Sequence, residues 1–128
     1  MSSIDYNKIM TLAEENEEYN ARLLSEMVKI KSLSSQEKEM IEFTALSFEK
    51  AGARTEIDPM GNLVARIGDG DPVVAFDAHI DTVDIGDINL WEKEPFSGEI
   101  SDGKVFGRGA SDQKGGASSM VTAAKIIK

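Results

Sequence analysis

The fold class of this chain is decided at residues 73–79, which read Val73-Val74-Ala75-Phe76-Asp77-Ala78-His79. The first six residues form a nearly continuous apolar run of strand length, which is typical of a strand covered on both faces. The run ends at His79, the only histidine of the 128-residue chain. In open α/β sheets ligands bind beyond the carboxyl ends of strands, so His79 stands where a functional residue is expected.

Short strands are predicted on both sides of this run, in two pairs: residues 55–58 with 62–67, and residues 98–101 with 104–106. The turn signature Pro59-Met60-Gly61 joins the first pair. Asp102-Gly103 joins the second pair and is typical of a tight hairpin. A further turn, at residues 68–72, leads into the apolar run.

Helices are predicted at residues 5–31, from Ser34 to Gly52, and from Gly115 onward. In the first helix apolar residues recur at i, i+4 and i+7. Ser34 followed by Glu37 has the spacing of a capping box, and Gly52 is the expected stop. Helices combined with buried strands predict an α/β chain with helices packed on a mixed, twisted sheet.

Charge and composition exclude several classes of function. The net charge is −9, whereas a nucleic-acid binder needs a cationic face, and an anionic membrane surface would repel this chain. The absence of cysteine excludes disulfides and thiolate metal sites. No secretory signal is visible at the N-terminus, and no apolar run approaches the roughly 20 residues that span a bilayer. We expect a cytoplasmic protein with no nucleic-acid or membrane partner.

The first motif that carries chemistry is His79-Ile80-Asp81. Residues i and i+2 of an extended chain face the same way, so His79 and Asp81 are expected to lie side by side. A metal-bound imidazole usually donates its other ring N–H to a carboxylate, which fixes the tautomer. Taken alone, such a pair is more often a structural His–Asp contact, although it also fits a metal ligand with its orienting carboxylate.

The second motif is Gly107-Arg108-Gly109-Ala110-Ser111-Asp112-Gln113-Lys114-Gly115-Gly116. Its glycines allow tight backbone conformations and present Asp112 just before a helix. Asp112 could be the N-cap of that helix, or the glycines could cradle a phosphate. The order of residues matches neither the P-loop nor the dinucleotide fingerprint, so the residues alone favour the N-cap.

Taken together, the two motifs resemble the co-catalytic zinc peptidase and deacylase family. That family includes aminoacylase, acetylornithine deacetylase, succinyl-diaminopimelate desuccinylase, glutamate carboxypeptidase and peptidase T. The resemblance covers essentially the whole chain, and residues 77–83 are most similar to a branch of selenium-metabolism-linked hydrolases. It implies that His79 is a zinc ligand, that Asp112 bridges two metals, and that Asp81 is the catalytic-site residue that orients His79. It also implies a cis peptide between Asp112 and Gln113.

The resemblance further implies an enzyme that hydrolyses an amide bond in a small peptide or N-acyl amino acid. Two zinc ions would serve the complete site, with cobalt or manganese as substitutes, and the parent protein would be a homodimer. Residues 1–128 would be the N-terminal portion of the catalytic domain, without the inserted dimerisation domain and the C-terminal half. The general base and the remaining ligands would lie beyond Lys128, so we expect this chain to be inactive alone.

Two other functions stay open at this point. The chain could be a non-catalytic remnant of the fold that acts as a binding or interaction module, or an unrelated α/β domain that binds phosphate. Asp84 and Asp87 are expected to be loop carboxylates that cap turns. Trp91 is expected either to line the cleft or to anchor packing, and Arg108 to pair with a carboxylate.

Overall fold

The computed structural model describes residues 3–128. Four helices are present: α1 (Tyr6–Glu15), α2 (Glu17–Lys29), α3 (Lys38–Lys50) and α4 (Gly115–Ile127). Four strands form two antiparallel hairpins: β1 (Arg54–Ile57) with β2 (Leu63–Arg66), and β3 (Ile100–Ser101) with β4 (Lys104–Val105). The predicted α/β class is confirmed, but the described strands form two small sheets and not one mixed sheet.

The core joins three of the helices. Met27 of α2, Met40 of α3 and Val121 of α4 are completely buried and belong to one apolar cluster. Burial of each such side chain stabilises the fold by about 1.5–3 kcal/mol. α1 has no buried residue and lies outside this core. The cluster therefore fixes α2 against α4, and these two helices border the site described below.

The predicted first helix is in fact two helices, because it breaks at Asn16. The Asn16 backbone N–H donates to the carbonyl of Ala13, and its side-chain amide donates to the carbonyl of Leu12. Asparagine competes in this way with the helical hydrogen-bond ladder. The carbonyl of Asn16 then accepts the N–H of Asn20, at the start of α2.

The prediction of a buried strand at residues 73–78 is wrong. Val73, Val74 and Phe76 are between 71 % and 81 % exposed, and no strand among residues 3–128 pairs with the run. A strand needs a neighbouring strand to satisfy its N–H and C=O groups, and neither described hairpin pairs with this run. The chain makes contact with the rest of the fold only from the end of the run onward: Ala78 and Ile80 pack against the core cluster, and Thr82 forms an isolated parallel bridge with Leu33.

The predicted capping box is also wrong. α3 begins at Lys38, after Glu37, which makes no side-chain cap. The Ser34 hydroxyl donates instead to Asp81, 47 residues away, and the Glu37 carboxylate accepts the N–H of Ser35.

The other local signals are confirmed. Gly52 follows α3 with φ +94°, and Asp102 and Gly103 turn the second hairpin with φ +52° and +71°. α4 begins at Gly115, as predicted.

The core assignment can be tested with two methionines. Met27→Ala should lower the free energy of unfolding by about 2–5 kcal/mol, because alanine leaves a cavity in the cluster. Met60 lies in the turn after β1 and is 88 % exposed, so Met60→Ala is a matched control that should change stability by less than about 0.5 kcal/mol. Urea unfolding followed by circular dichroism measures both. Similar effects at the two positions would contradict the placement of Met27 in the core.

Candidate metal centre

The structure brings His79 and Asp112 together, although they are 33 residues apart in sequence. The distance from His79 Nε2 to Asp112 Oδ1 is 2.9 Å. Both side chains line a cleft of about 240 Å³, which Asp81, Thr82 and residues of the glycine motif also border. The Asp112 side chain is 87 % exposed, so the pair opens to this cleft and not to the core.

The other ring nitrogen of His79 faces Asp81, as predicted. Nδ1 lies 3.1 Å from the backbone carbonyl oxygen of Asp81 and 3.3 Å from its carboxylate oxygen Oδ1. The other carboxylate oxygen accepts the hydroxyl of Ser34, and this hydrogen bond is the main cause that lowers the pKa of Asp81. Ser34 therefore holds the carboxylate in place and keeps it ionised beside the ring.

Both ring nitrogens of His79 face hydrogen-bond acceptors, an arrangement that only the protonated imidazole satisfies fully. The pKa of His79 is accordingly raised, mainly by the hydrogen bond to Asp112 and further by the carbonyl and charge of Asp81. Below this raised pKa, His79 and Asp112 form a hydrogen-bonded ion pair.

Asp112 reaches His79 from the glycine loop, which we define as residues 107–114. Asp112 and Gln113 leave helical geometry, with φ/ψ of −118°/95° and −136°/30°. The peptide bond between them is cis, as the family resemblance implied. α4 then starts without a side-chain cap. The N-cap interpretation of Asp112 is therefore wrong, because its carboxylate contacts His79 instead.

Two further contacts join the glycine loop to residues 79–82, which we call the histidine segment. The side-chain carbonyl of Gln113 accepts the backbone N–H of His79 at 3.1 Å. Gly109 has φ +82°, and a Cβ there would lie 2.6 Å from Thr82 Cγ2 and 3.3 Å from Lys114 Cδ. Only glycine fits this backbone conformation and this close approach.

The backbone of the loop does not suit a phosphate. The N–H groups of Arg108, Ala110 and Lys114 donate to the carbonyls of Pro95, Gly107 and Gly109, respectively. A phosphate cradle needs successive N–H groups that point at the ligand, and these three already donate to protein carbonyls. They are therefore not free to bind a phosphate.

The remaining candidates are structural. Asp87 caps the 3-10 turn Ile88–Leu90, and Asp84 accepts the N–H of Ile85, as expected of loop carboxylates. The Trp91 indole donates to the carbonyl of Ile85, and the Arg108 guanidinium lies 5.0 Å from the centre of its ring. Trp91 is thus a packing anchor. The predicted pairing of Arg108 with a carboxylate is not found among residues 3–128.

Sequence reasoning missed two residues that support the site, Ser34 and Lys114. The spacing of Ser34 and Glu37 predicts a helix cap, and the sequence predicts no role for Lys114. Lys114 is completely buried, and its ammonium donates to the carbonyls of Met27 and Ile30. Burial lowers the pKa of Lys114 to about 8.

The pair His79 and Asp112 fits part of a zinc shell. Nitrogen and oxygen ligands lie at about 2.0–2.2 Å from zinc in a tetrahedral arrangement, so two ligands are roughly 3.3–3.6 Å apart. The observed separation of 2.9 Å would therefore have to widen by about half an ångström. Among residues 3–128 no group of three or more His, Cys, Asp or Glu side chains could hold a metal. The described residues therefore supply two donors and not a complete shell.

Comparison with known proteins identifies relatives of this chain. Residues 75–128 match the model of peptidase family M20/M25/M40. The chain is 45 % identical over 127 residues to the uncharacterized protein YgeY of Escherichia coli K12, covering 98 % of this chain and 32 % of the relative. It is 40 % identical to a probable succinyl-diaminopimelate desuccinylase of Staphylococcus epidermidis, covering 88 % of this chain and 29 % of the relative.

A succinyl-diaminopimelate desuccinylase of Xanthobacter autotrophicus is 36 % identical over 80 % of this chain and 29 % of its own length. The chain thus spans about a third of the length of the curated relatives it matches. It belongs to peptidase family M20/M25/M40.

None of the helices within residues 3–128 is long and apolar enough to cross a membrane.

The His79–Asp112 ion pair predicts a pH dependence in the metal-free chain. The raised pKa means that the pair stabilises the fold fully below pH 6.5, and that this contribution is lost as pH rises through the folded-state pKa. NMR titration of the His79 imidazole should give a pKa above 6.5, and Asp112→Asn should lower it. Asp87→Asn is the control, because Asp87 caps a separate turn. A His79 pKa that does not respond to Asp112→Asn would contradict the observed pairing.

Proposed function

We propose that this chain carries two metal ligands, His79 and Asp112, of a hydrolase that cleaves an amide bond in a small peptide or N-acyl amino acid. The observation that carries the proposal is the 2.9 Å approach of His79 Nε2 to Asp112 Oδ1, with Nδ1 held by Asp81. Both side chains line the same open cleft. Membership of a peptidase family and two relatives named desuccinylases support an acyl–amide substrate.

The residues of this chain have distinct tasks in the proposed site. His79 would hold the metal through Nε2 of its neutral ring, and Asp81 holds Nδ1–H, which fixes the required tautomer. Asp112 would hold the metal through its carboxylate. When bound, two zinc ions, or cobalt or manganese in their place, supply Lewis-acid polarisation of the scissile carbonyl and a water of lowered pKa.

The 128-residue chain alone is not expected to turn over substrate. A catalytic zinc takes about three protein ligands and keeps one open position, and the described residues supply two donors in total. The general base is a further requirement, and the resemblance places it outside this chain. The homodimer, the cytoplasmic location and the selenium-linked branch remain predictions.

Metal binding tests the assignment of the ligands. Isothermal titration of the metal-free chain with Zn²⁺ at pH 7.5 should show saturable binding, and His79→Ala and Asp112→Ala should each abolish it, because either change leaves a single donor. Asp84→Ala is the matched control and should bind as the wild type does, since the carboxylate of Asp84 accepts the N–H of its neighbour Ile85. Equal binding by all four proteins would refute the ligand assignment.

Turnover tests the reaction. The full translated product of the gene, supplied with Zn²⁺, Co²⁺ or Mn²⁺, should hydrolyse N-succinyl or N-acetyl amino acids or dipeptides, and its His79→Ala variant should not. The 128-residue chain should be inactive under the same conditions. Zinc binding without turnover by the full product would support the alternative, a non-catalytic module that keeps the fold.

A further inference from the structure

Lys114 places a charged side chain inside the described core and bonds it to two backbone carbonyls. Its side chain is completely buried, and its Nζ lies 2.9 Å from the carbonyl oxygen of Met27 and 2.6 Å from that of Ile30. Met27 lies in the last turn of α2, and its carbonyl also accepts the N–H of Ile30, the residue that caps the helix. A carbonyl oxygen has two lone pairs, so it can accept from the ammonium as well. A helix C-terminus also carries partial negative charge, so an ammonium suits this position.

The other end of Lys114 is fixed as well. Its backbone N–H donates to the carbonyl of Gly109 at 2.9 Å, which closes the glycine loop. Its stem packs against Gly109, where a Cβ would lie 3.3 Å from Lys114 Cδ. Asp112 is only two residues away. The backbone that carries Asp112 is therefore tied to α2 by a side chain that is held at both ends.

The same part of α2 and its following loop holds the histidine segment. We define the anchor segment as residues 27–34. Ser32, completely buried, donates its hydroxyl to the carbonyl of Ile80 at 2.7 Å, and its own carbonyl accepts the N–H of Thr82 at 2.8 Å. His79 and Asp112 are thus fixed to one short stretch of chain by separate hydrogen bonds.

We propose that Lys114 is a positioning residue: it ties the glycine loop to the anchor segment and thereby holds Asp112 Oδ1 at ligand distance from His79 Nε2. The inference rests on the proposed function, because that function supplies the metal. The contact between Asp112 and His79 that Lys114 holds can, however, be measured in protein without metal. If the buried lysine only stabilised the fold, its loss would lower the free energy of unfolding without changing how Asp112 faces His79.

The test compares Lys114→Met, which keeps an unbranched stem and removes the ammonium, with Val121→Ala, which weakens the same core from α4. Two readouts are used: Zn²⁺ affinity by isothermal titration, and NOEs between the imidazole protons of His79 and the β protons of Asp112 in metal-free protein. Lys114→Met should lose the NOEs and bind Zn²⁺ about 10–100-fold more weakly, as for other groups that orient ligands. Val121→Ala should keep the NOEs and bind within about twofold of the wild type.

Chemical rescue keeps the proposal testable if Lys114→Met does not fold. The chain has no cysteine, so Lys114→Cys can be alkylated selectively in urea and refolded. Treatment with 2-bromoethylamine restores an ammonium on a stem of lysine length and should restore the NOEs and the affinity. Alkylation with 1-bromopropane, which adds a neutral chain, should not.

The proposal is overturned if folded Lys114→Met keeps both readouts, or if the propyl derivative is rescued as fully as the aminoethyl derivative. If the wild-type chain binds no Zn²⁺, the proposed function fails. The NOE comparison still decides the role of Lys114 in that case, because it needs no metal.

Discussion

The site depends on one interaction, the hydrogen bonds of the Lys114 ammonium to the carbonyls at the end of α2. Burial of an unpaired charge is strongly unfavourable, so such a group persists only where polar partners surround it. Carbonyls at the end of a helix are suitable partners, because they carry the negative end of the helix dipole and each oxygen can accept two hydrogen bonds. The contact thus satisfies two requirements at once. The buried charge of the lysine gains polar partners, and the carbonyls at the end of the helix gain a hydrogen-bond donor.

This interaction also bridges a long distance along the chain. Met27 and Lys114 are 87 residues apart, and Ser32 and Ile80 are 48 residues apart. Closing loops of this length has an entropic cost, which the apolar cluster around Met27 and Val121 offsets. The core brings α2 against α4, and the polar contacts then set the orientation of the loops. Packing energy supplies the stability, whereas a few directed hydrogen bonds supply the geometry of the candidate site.

The parts of the fold that could be predicted are those in which the necessary information is local. Gly52 and the pair Asp102-Gly103 favour their own turns through backbone conformation alone, and α4 follows from its composition. Ser34 could not be assigned from sequence, because a serine hydroxyl caps a helix or binds a distant carboxylate with equal ease. The run at residues 73–78 was misread for a related reason. Apolarity predicts that a segment favours burial but does not identify the partner that would bury it.

The candidate site itself was predictable as a set of residues but not as an arrangement. The resemblance pointed to His79, Asp81 and Asp112, and the structure adds that His79 Nε2 and Asp112 Oδ1 lie 2.9 Å apart. When His79 is protonated, its ring donates to an acceptor on each side. If the two residues hold a metal as proposed, the ion would displace that proton, so acid would weaken metal binding. The contact between the two side chains would also limit how far they move when an ion enters, which reduces the reorganisation that a flexible pair requires.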